Sequence, residues 1–249
     1  MNDMIRHLQA HRSIRRFKQE EVTQEQLAQI IGSAQSASTS SNMQAYSVIS
    51  IRKADTRRQL AALAGGQHYV EACPLFLVWC ADLHRAQAAV RLHTGDATLQ
   101  VPQNVETFLV ATVDAALAAQ NAAVAAEALG LGTVFIGGLR NDMRRVIELL
   151  ELPELVYPIF GMCIGKPDQS PTPRPRLAME AVYHEERYNQ ADLVKHIRAY
   201  DETLAQYYAS RTGGSKQAAW SGELASRLRA ERLRPELYDI ITSQGFQFK

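Results

Sequence analysis

Cysteine is scarce: Cys73, Cys80 and Cys163 are the three in 249 residues, and no two of them have C-x-x-C spacing. A disulfide scaffold is therefore not expected, and a reducing compartment is the default. Cys80 and Cys163 lie in apolar runs that read as buried strands, where a thiol behaves as a small hydrophobe. No charge of one sign dominates either. Lys and Arg total 27, Asp and Glu total 26, and the net charge is +1. That balance excludes a generally basic nucleic-acid binder and an acidic tail protein. The first residues, Met1-Asn2-Asp3-Met4-Ile5-Arg6, hold no long apolar run, so no signal peptide is expected. The longest apolar stretch, Phe108 to Leu131, is largely alanine and carries Asp114, Gln120, Asn121 and Glu127. Charges at such depths are costly in lipid and alanine contributes little to insertion. No membrane span is expected, and the chain is read as cytoplasmic.

Hydrolytic and metal signatures are missing too. The seven histidines (7, 11, 68, 84, 93, 184 and 196) form no H-E-x-x-H pair. Gly-x-Ser-x-Gly and G-x-x-x-x-G-K-[ST] are absent. The glycines of Gly130-Leu131-Gly132 precede a strand rather than follow it, and the third glycine of the Rossmann fingerprint is missing. No metal site is expected.

What remains is an ordinary globular composition, 46% hydrophobic and 21% charged. Thr23-Gln24-Glu25-Gln26 has the form of a capping box, followed by Leu27, Ile30 and Ile31 at helical spacing. A helix is expected from Glu106 to Leu129, about 36 Å long and apolar on several sides. It reads as a central core helix, with a subunit interface as the sharper alternative. Strands are expected over Ala45 to Ile51, Leu75 to Ala81 and Val156 to Ile164, and a helix over Asn141 to Leu150, ended by Pro153. Ile197, Tyr200, Leu204 and Tyr207 share one helical face after Leu193. Loops are expected over Gly165 to Arg176, which holds four prolines, and over Arg211 to Gln217. Residues 84–105 read as helix, excursion loop or both. The fold class is α+β, with helices covering a sheet.

Five motifs could carry chemistry. His11-Arg12-Ser13-Ile14-Arg15-Arg16 offers forked guanidinium donors and a hydroxyl suited to phosphate oxygens. Its ordinary reading is a solvated basic turn. Ser38-Thr39-Ser40-Ser41-Asn42-Met43-Gln44 could hydrogen-bond a ligand, or simply connect helix to strand. Residues 24–46 loosely resemble a helix-turn-helix, but the second helix would be rich in Ser and Thr. Ile136-Gly137-Gly138-Leu139-Arg140 ends a strand in two glycines, which leave backbone N–H groups open to a flat ring. Arg174-Pro175-Arg176 and Gly65-Gly66-Gln67-His68-Tyr69 complete the set. A chain poor in catalytic signatures and rich in phosphate-ready loops fits a protein that lends geometry to a cofactor.

These motifs, in this order, resemble the nitroreductase superfamily, and in particular its oxygen-insensitive NADPH nitroreductase and NADPH:FMN oxidoreductase branch. The resemblance covers nearly the whole chain. It implies a nitroreductase-like fold, with a central, mostly antiparallel sheet flanked by helices, and an intertwined homodimer. Residues 1–249 would form a single FMN-binding domain, with 84–105 as a candidate excursion and 191–249 as a helical C-terminal extension. It implies non-covalent FMN, NADPH as co-substrate and small-molecule electron acceptors, with no nucleic-acid partner. The cofactor would be held by His11, Arg12, Ser13 and Arg15, by Ser38, Thr39 and Ser40 of the partner subunit's loop, and by Gln67. Backbone at Ile136, Gly137, Gly138 and Leu139, together with Arg174 and Arg176, would complete the cofactor site. Arg16, Ser41, Tyr69, Arg211, Lys216 and Arg234 would border NADPH or the acceptor. Arg174 stands where relatives carry lysine. The implied activity is FMN-dependent, ping-pong hydride transfer from NADPH to nitroaromatics, quinones or free flavin. A flavin carrier without turnover is the alternative, and the Arg211 to Lys216 loop argues against it, because a carrier needs no dinucleotide clamp.

Overall fold

The structure, a computed structural model, describes residues 2–212, 218–229 and 234–248. It divides into two compact units: Met1–Pro171 with Arg234–Lys249, and Thr172–Leu233.

The first unit is built on a four-stranded sheet of β1 (Tyr46–Ile51), β2 (Leu75–Asp82), β3 (Gly132–Ile136) and β4 (Val156–Gly165), in the order β1-β2-β4-β3. Every pairing is antiparallel. β2 is buried along its whole length because both faces are covered. Leu75, Leu77 and Trp79 point to one core, and Phe76, Val78 and Cys80 to the other. This is the period-two alternation of a strand, with helices in place of solvent on either side. The first core is closed by α2 (Gln24–Gln35) and α6 (Val105–Ala128). The second is closed by α3 (Ala54–Leu63), α7 (Met143–Leu149) and α10 (Leu237–Ser243). Short helices α1 (Asp3–Gln9), α4 (His68–Ala72) and α5 (His84–Thr94) complete this unit.

Local chemistry accounts for the boundaries. Thr23 Oγ1 accepts the Gln26 amide at 3.1 Å and Gln26 Oε1 accepts the Thr23 amide at 3.0 Å, closing the capping box expected at α2. Asn104 and Thr107 make the same reciprocal pair at α6. Gly130, with φ of +74°, ends α6 in the left-handed region. The alanine run packs α6 against the sheet: Ala111, Ala115, Ala118, Ala119, Ala122, Ala123 and Ala126 are all buried. Its length and composition would suffice to cross a membrane, yet this face is covered by protein. Residues 84–105 are both of the things expected, a helix and then a loop.

One irregularity prepares the site. Between Trp79 and Cys80 the register with β4 shifts, so that Ile159 has no partner on β2. The neighbouring Pro158 has no N–H to give to a ladder, and a bulge is where such a residue is tolerated. The freed Ile159 carbonyl is taken by Arg140 Nη1 at 2.7 Å.

The second unit contains α8 (Leu193–Thr212) and α9 (Trp220–Arg227). Asp201 of α8 accepts from the Ser221 amide at 2.8 Å and from its hydroxyl at 2.6 Å. Arg211, expected in a loop, lies in the last turn of α8. No residue between Leu193 and Arg211 breaks a helix, and the first glycine follows Thr212.

Candidate functional site

The segment after α1 runs beside β3. Ser13 bridges Thr133 in parallel and the Ile14 amide donates to the Thr133 carbonyl at 2.9 Å. Ile14 is buried, and Gly132 makes room for it: a Cβ there would stand 2.5 Å from Ile14 Cγ1. Ile14 anchors the segment in the core, while Arg12 and Arg15 on either side of it are exposed. His11 Nδ1 lies 2.7 Å from Glu127 Oε1, which also accepts from Thr133 Oγ1 at 3.0 Å. Arg16 is tied down differently, donating to the Asp168 carbonyl at 2.8 Å.

The loop from Gly65 to Tyr69 meets the end of β3. Gln67 Nε2 donates to the Ala64 carbonyl at 2.7 Å, and Tyr69 Oη donates to Gln67 Oε1 at 2.6 Å. The Arg15 guanidinium lies 6.0 Å from the centre of the Tyr69 ring. At Gly138 a Cβ would come within 2.5 Å of the Ala64 carbonyl oxygen and would also strike the Gln67 amide. Ile136 and Leu139 bury their side chains in the core. Only their backbone is available to a ligand. Three of the sequence motifs thus converge at one end of β3.

Positive charge gathers there. Arg234 grips Asn141 Oδ1 through Nη2 at 2.6 Å and Nε at 3.2 Å. Burial lowers the Arg140 pKa, and the Arg234 charge lowers it further. Beneath them the Tyr157 hydroxyl is buried without a hydrogen-bond partner and its pKa is pushed up to about 12, chiefly by burial.

The Ser38 to Ser41 loop is elsewhere. It leads into β1, the opposite edge of the sheet from β3. Three strand steps, about 14 Å, separate the two edges. The segment 24–46 is helix, 3₁₀ turn and strand, so the second helix of a helix-turn-helix is not formed. In the second unit, Arg174 Nη2 donates to Tyr208 Oη at 2.5 Å, and Arg176 is exposed. Arg211 donates to Tyr207 Oη at 3.2 Å. Lys216 lies outside the described residues.

Sequence reasoning passed over Glu127, Arg140, Asn141 and Asp114 as site residues. Two of them carried a signal: a carboxylate inside an alanine-rich helix needs a partner.

The Nitroreductase family model matches residues 8–166, and the Nitroreductase family, C-terminal domain model matches residues 174–249. The chain belongs to the nitroreductase family. Within it, the chain is 44% identical over 250 residues to an FMN reductase [NAD(P)H] of Bacillus subtilis, covering 99% of both chains. It is 41% identical over 246 residues to an oxygen-insensitive NADPH nitroreductase of Salmonella typhimurium, again covering 99% of both. The solved structure of the Vibrio harveyi NADPH:FMN oxidoreductase complexed with NAD+ matches with a TM-score of 0.87 at 39% identity, covering 98% of each chain. The family resemblance read from the five motifs therefore holds, as does the α+β class with its antiparallel sheet.

The donor set suits the FMN that two of these relatives' names carry. FMN combines a phosphate, a polyol and a flat ring. The exposed Arg12 and Arg15 suit the phosphate. The fixed amide of Gln67 suits the polyol or the ring edge, and the half-buried backbone of Gly137 and Gly138, packed against Arg140, Ala64 and Gln67, brings main-chain groups to the same place.

Proposed function

We propose that this chain is an FMN-dependent oxidoreductase that takes hydride from NADPH and passes electrons to a small acceptor. Nitroaromatics, quinones and free flavin are the acceptor classes. The observation that carries this reading is the convergence of Arg15, Tyr69, Gln67 and Gly138 at the end of β3, in a chain similar along its full length to NADPH-dependent flavin reductases. When bound, the flavin supplies the two-electron chemistry. The chain supplies binding, orientation and charge. His11, held by Glu127, and Ser13 stand beside the phosphate-binding Arg12 and Arg15. Arg140 and Arg234 bring positive potential to the ring end, where negative charge builds on reduction. Tyr69 and Arg234 border the space for the acceptor, and one such space serves NADPH and acceptor in turn. The roles of Arg174, Arg176, Arg211 and Lys216 rest on the family resemblance.

The working unit in this reading is a homodimer. The cofactor loop Ser38 to Ser41 stands about three strand steps from the other cofactor residues of its own chain, so a second chain's loop completes the site. A face for that partner exists on α6, where Val105, Leu109, Val113 and Leu117 recur every fourth residue and are exposed. Three free, buried thiols favour the reducing cytoplasm.

Purification should give a yellow protein. Its visible flavin band should bleach on anaerobic addition of NADPH and return with a nitroaromatic or a quinone. A colourless protein that FMN does not reconstitute would defeat the proposal. Bleaching that no acceptor reverses would favour the carrier alternative.

A further inference from the structure

Asp114 lies in the alanine face of α6 and is 1% exposed. A carboxylate withdrawn from water is unfavourable unless its oxygens accept strong hydrogen bonds. Oδ1 accepts the Ser40 amide at 3.0 Å and Oδ2 accepts the Ala45 amide at 3.0 Å. Both bonds end on one loop, the connection between α2 and β1.

That loop is strained. Ser41, Asn42 and Gln44 have φ of +47°, +55° and +50°, in the left-handed region without a glycine among them. Such backbone persists only where its surroundings over-determine it. Asp114 holds two of its amides. Arg85 holds its carbonyl side, donating from Nη1 to the Gln44 carbonyl at 3.4 Å and from Nη2 to the Tyr46 carbonyl at 3.3 Å. Arg85 is itself fixed by Ser47 Oγ at 2.6 Å and Asp82 Oδ2 at 3.2 Å. Inside the loop, Thr39 Oγ1 accepts the Gln44 amide at 3.4 Å. The conformation is therefore set by one chain's own buried carboxylate and surface arginine.

We propose that Asp114 and Arg85 are positioning residues that hold the Ser38 to Gln44 loop ready for the cofactor. Asp114 acts through the loop's amides and Arg85 through its carbonyls. Their effect is preorganisation: a loop already ordered costs the ligand nothing to order. The inference rests on the reading of this loop as part of an FMN site.

The test is FMN affinity, read from quenching of free flavin fluorescence, together with the rate of NADPH oxidation at rising FMN. In Asp114→Asn one oxygen is replaced by an N–H donor that faces a backbone N–H. The FMN Kd should rise about tenfold or more, the scale of a lost bond to a charged group. Saturating FMN should restore the rate, which a general loss of structure would not allow. Arg85 is a surface side chain, 61% exposed, so Arg85→Ala decides the matter if the first variant does not fold. Its Kd should rise at least threefold with the same recovery. A Kd within twofold of wild type in the folded variants overturns the inference, and so does a lost rate that saturating FMN leaves unrestored. A wild-type chain with no measurable FMN affinity removes the cofactor reading and the inference together. Normal wild-type affinity with unchanged variants removes the inference alone.

Discussion

At the scale of the residue, two positions make sharp predictions. Gly138 is the point where β3's end, the Ala64 carbonyl and the Gln67 amide meet. Gly138→Ala should displace Gln67 and cost about 1–3 kcal/mol through overpacking. A urea titration and an FMN titration of the same preparation should show both losses. Tyr157 behaves differently. Its hydroxyl is buried without a partner, so Tyr157→Phe should leave stability equal or raise it by about 1 kcal/mol. The pH dependence follows from its raised pKa of about 12 against an ordinary 10.0. Below pH 10 the phenol is neutral in folded and unfolded chains alike. Above it the unfolded chain ionises first, so wild-type stability falls as pH rises from 10 toward 12. The phenylalanine variant should lack this component of the alkaline loss in urea titrations at pH 8 and pH 10.5. Residues such as Arg12, Gln67 and Gly138 could be named from sequence because their motifs are contiguous. For Glu127 and Asp114 the sequence signals the need for a partner but not which one, because the partner is distant in the chain: His11 is 116 residues from Glu127, and Ser40 is 74 from Asp114.

Among the elements, the long alanine helix ties together segments far apart in the chain. One face of α6 packs on the sheet, Asp114 accepts from the Ser40 and Ala45 amides of the loop before β1, and Glu127 pairs with His11 of the segment beside β3. The exposed positions Leu109, Val113 and Leu117 remain. Val113→Glu should shift the molecule toward monomer in sedimentation and lower FMN occupancy with it, while the circular dichroism of the fold is retained. A dimer of unchanged mass would show that this face is not the interface. The observed bounds of α6, Val105–Ala128, lie within a residue of the Glu106 to Leu129 expected, and the Asn104–Thr107 capping box and Gly130 mark its two ends. Glycines at 213 and 214 suggest an earlier stop, yet α8 runs through Arg211 to Thr212.

For the whole molecule, the sheet order β1-β2-β4-β3 is the decisive fact. It puts the serine-rich loop and the arginine-rich segment at opposite edges. A dimer whose sites each draw on two chains should therefore show complementation. A chain disabled in the loop and a chain disabled at Gln67, each inactive alone, should regain about a quarter of wild-type activity when co-expressed, because half the dimers are mixed and each holds one intact site. Activity no higher than that of either parent would show that each site lies within one chain.

The elements, the α+β class and the motifs that suit a flavin are legible in the amino-acid sequence. These depend on local chemistry: hydrophobic period, caps, glycines and clustered guanidinium groups. Which motifs meet depends on the packed fold. Strand order joins Arg15, Gln67 and Gly138, keeps Ser38 to Ser41 apart from them, and brings two helix carboxylates to backbone and side-chain donors far along the chain. A hydrogen bond between such distant groups is fixed by packing, and no local periodicity encodes it.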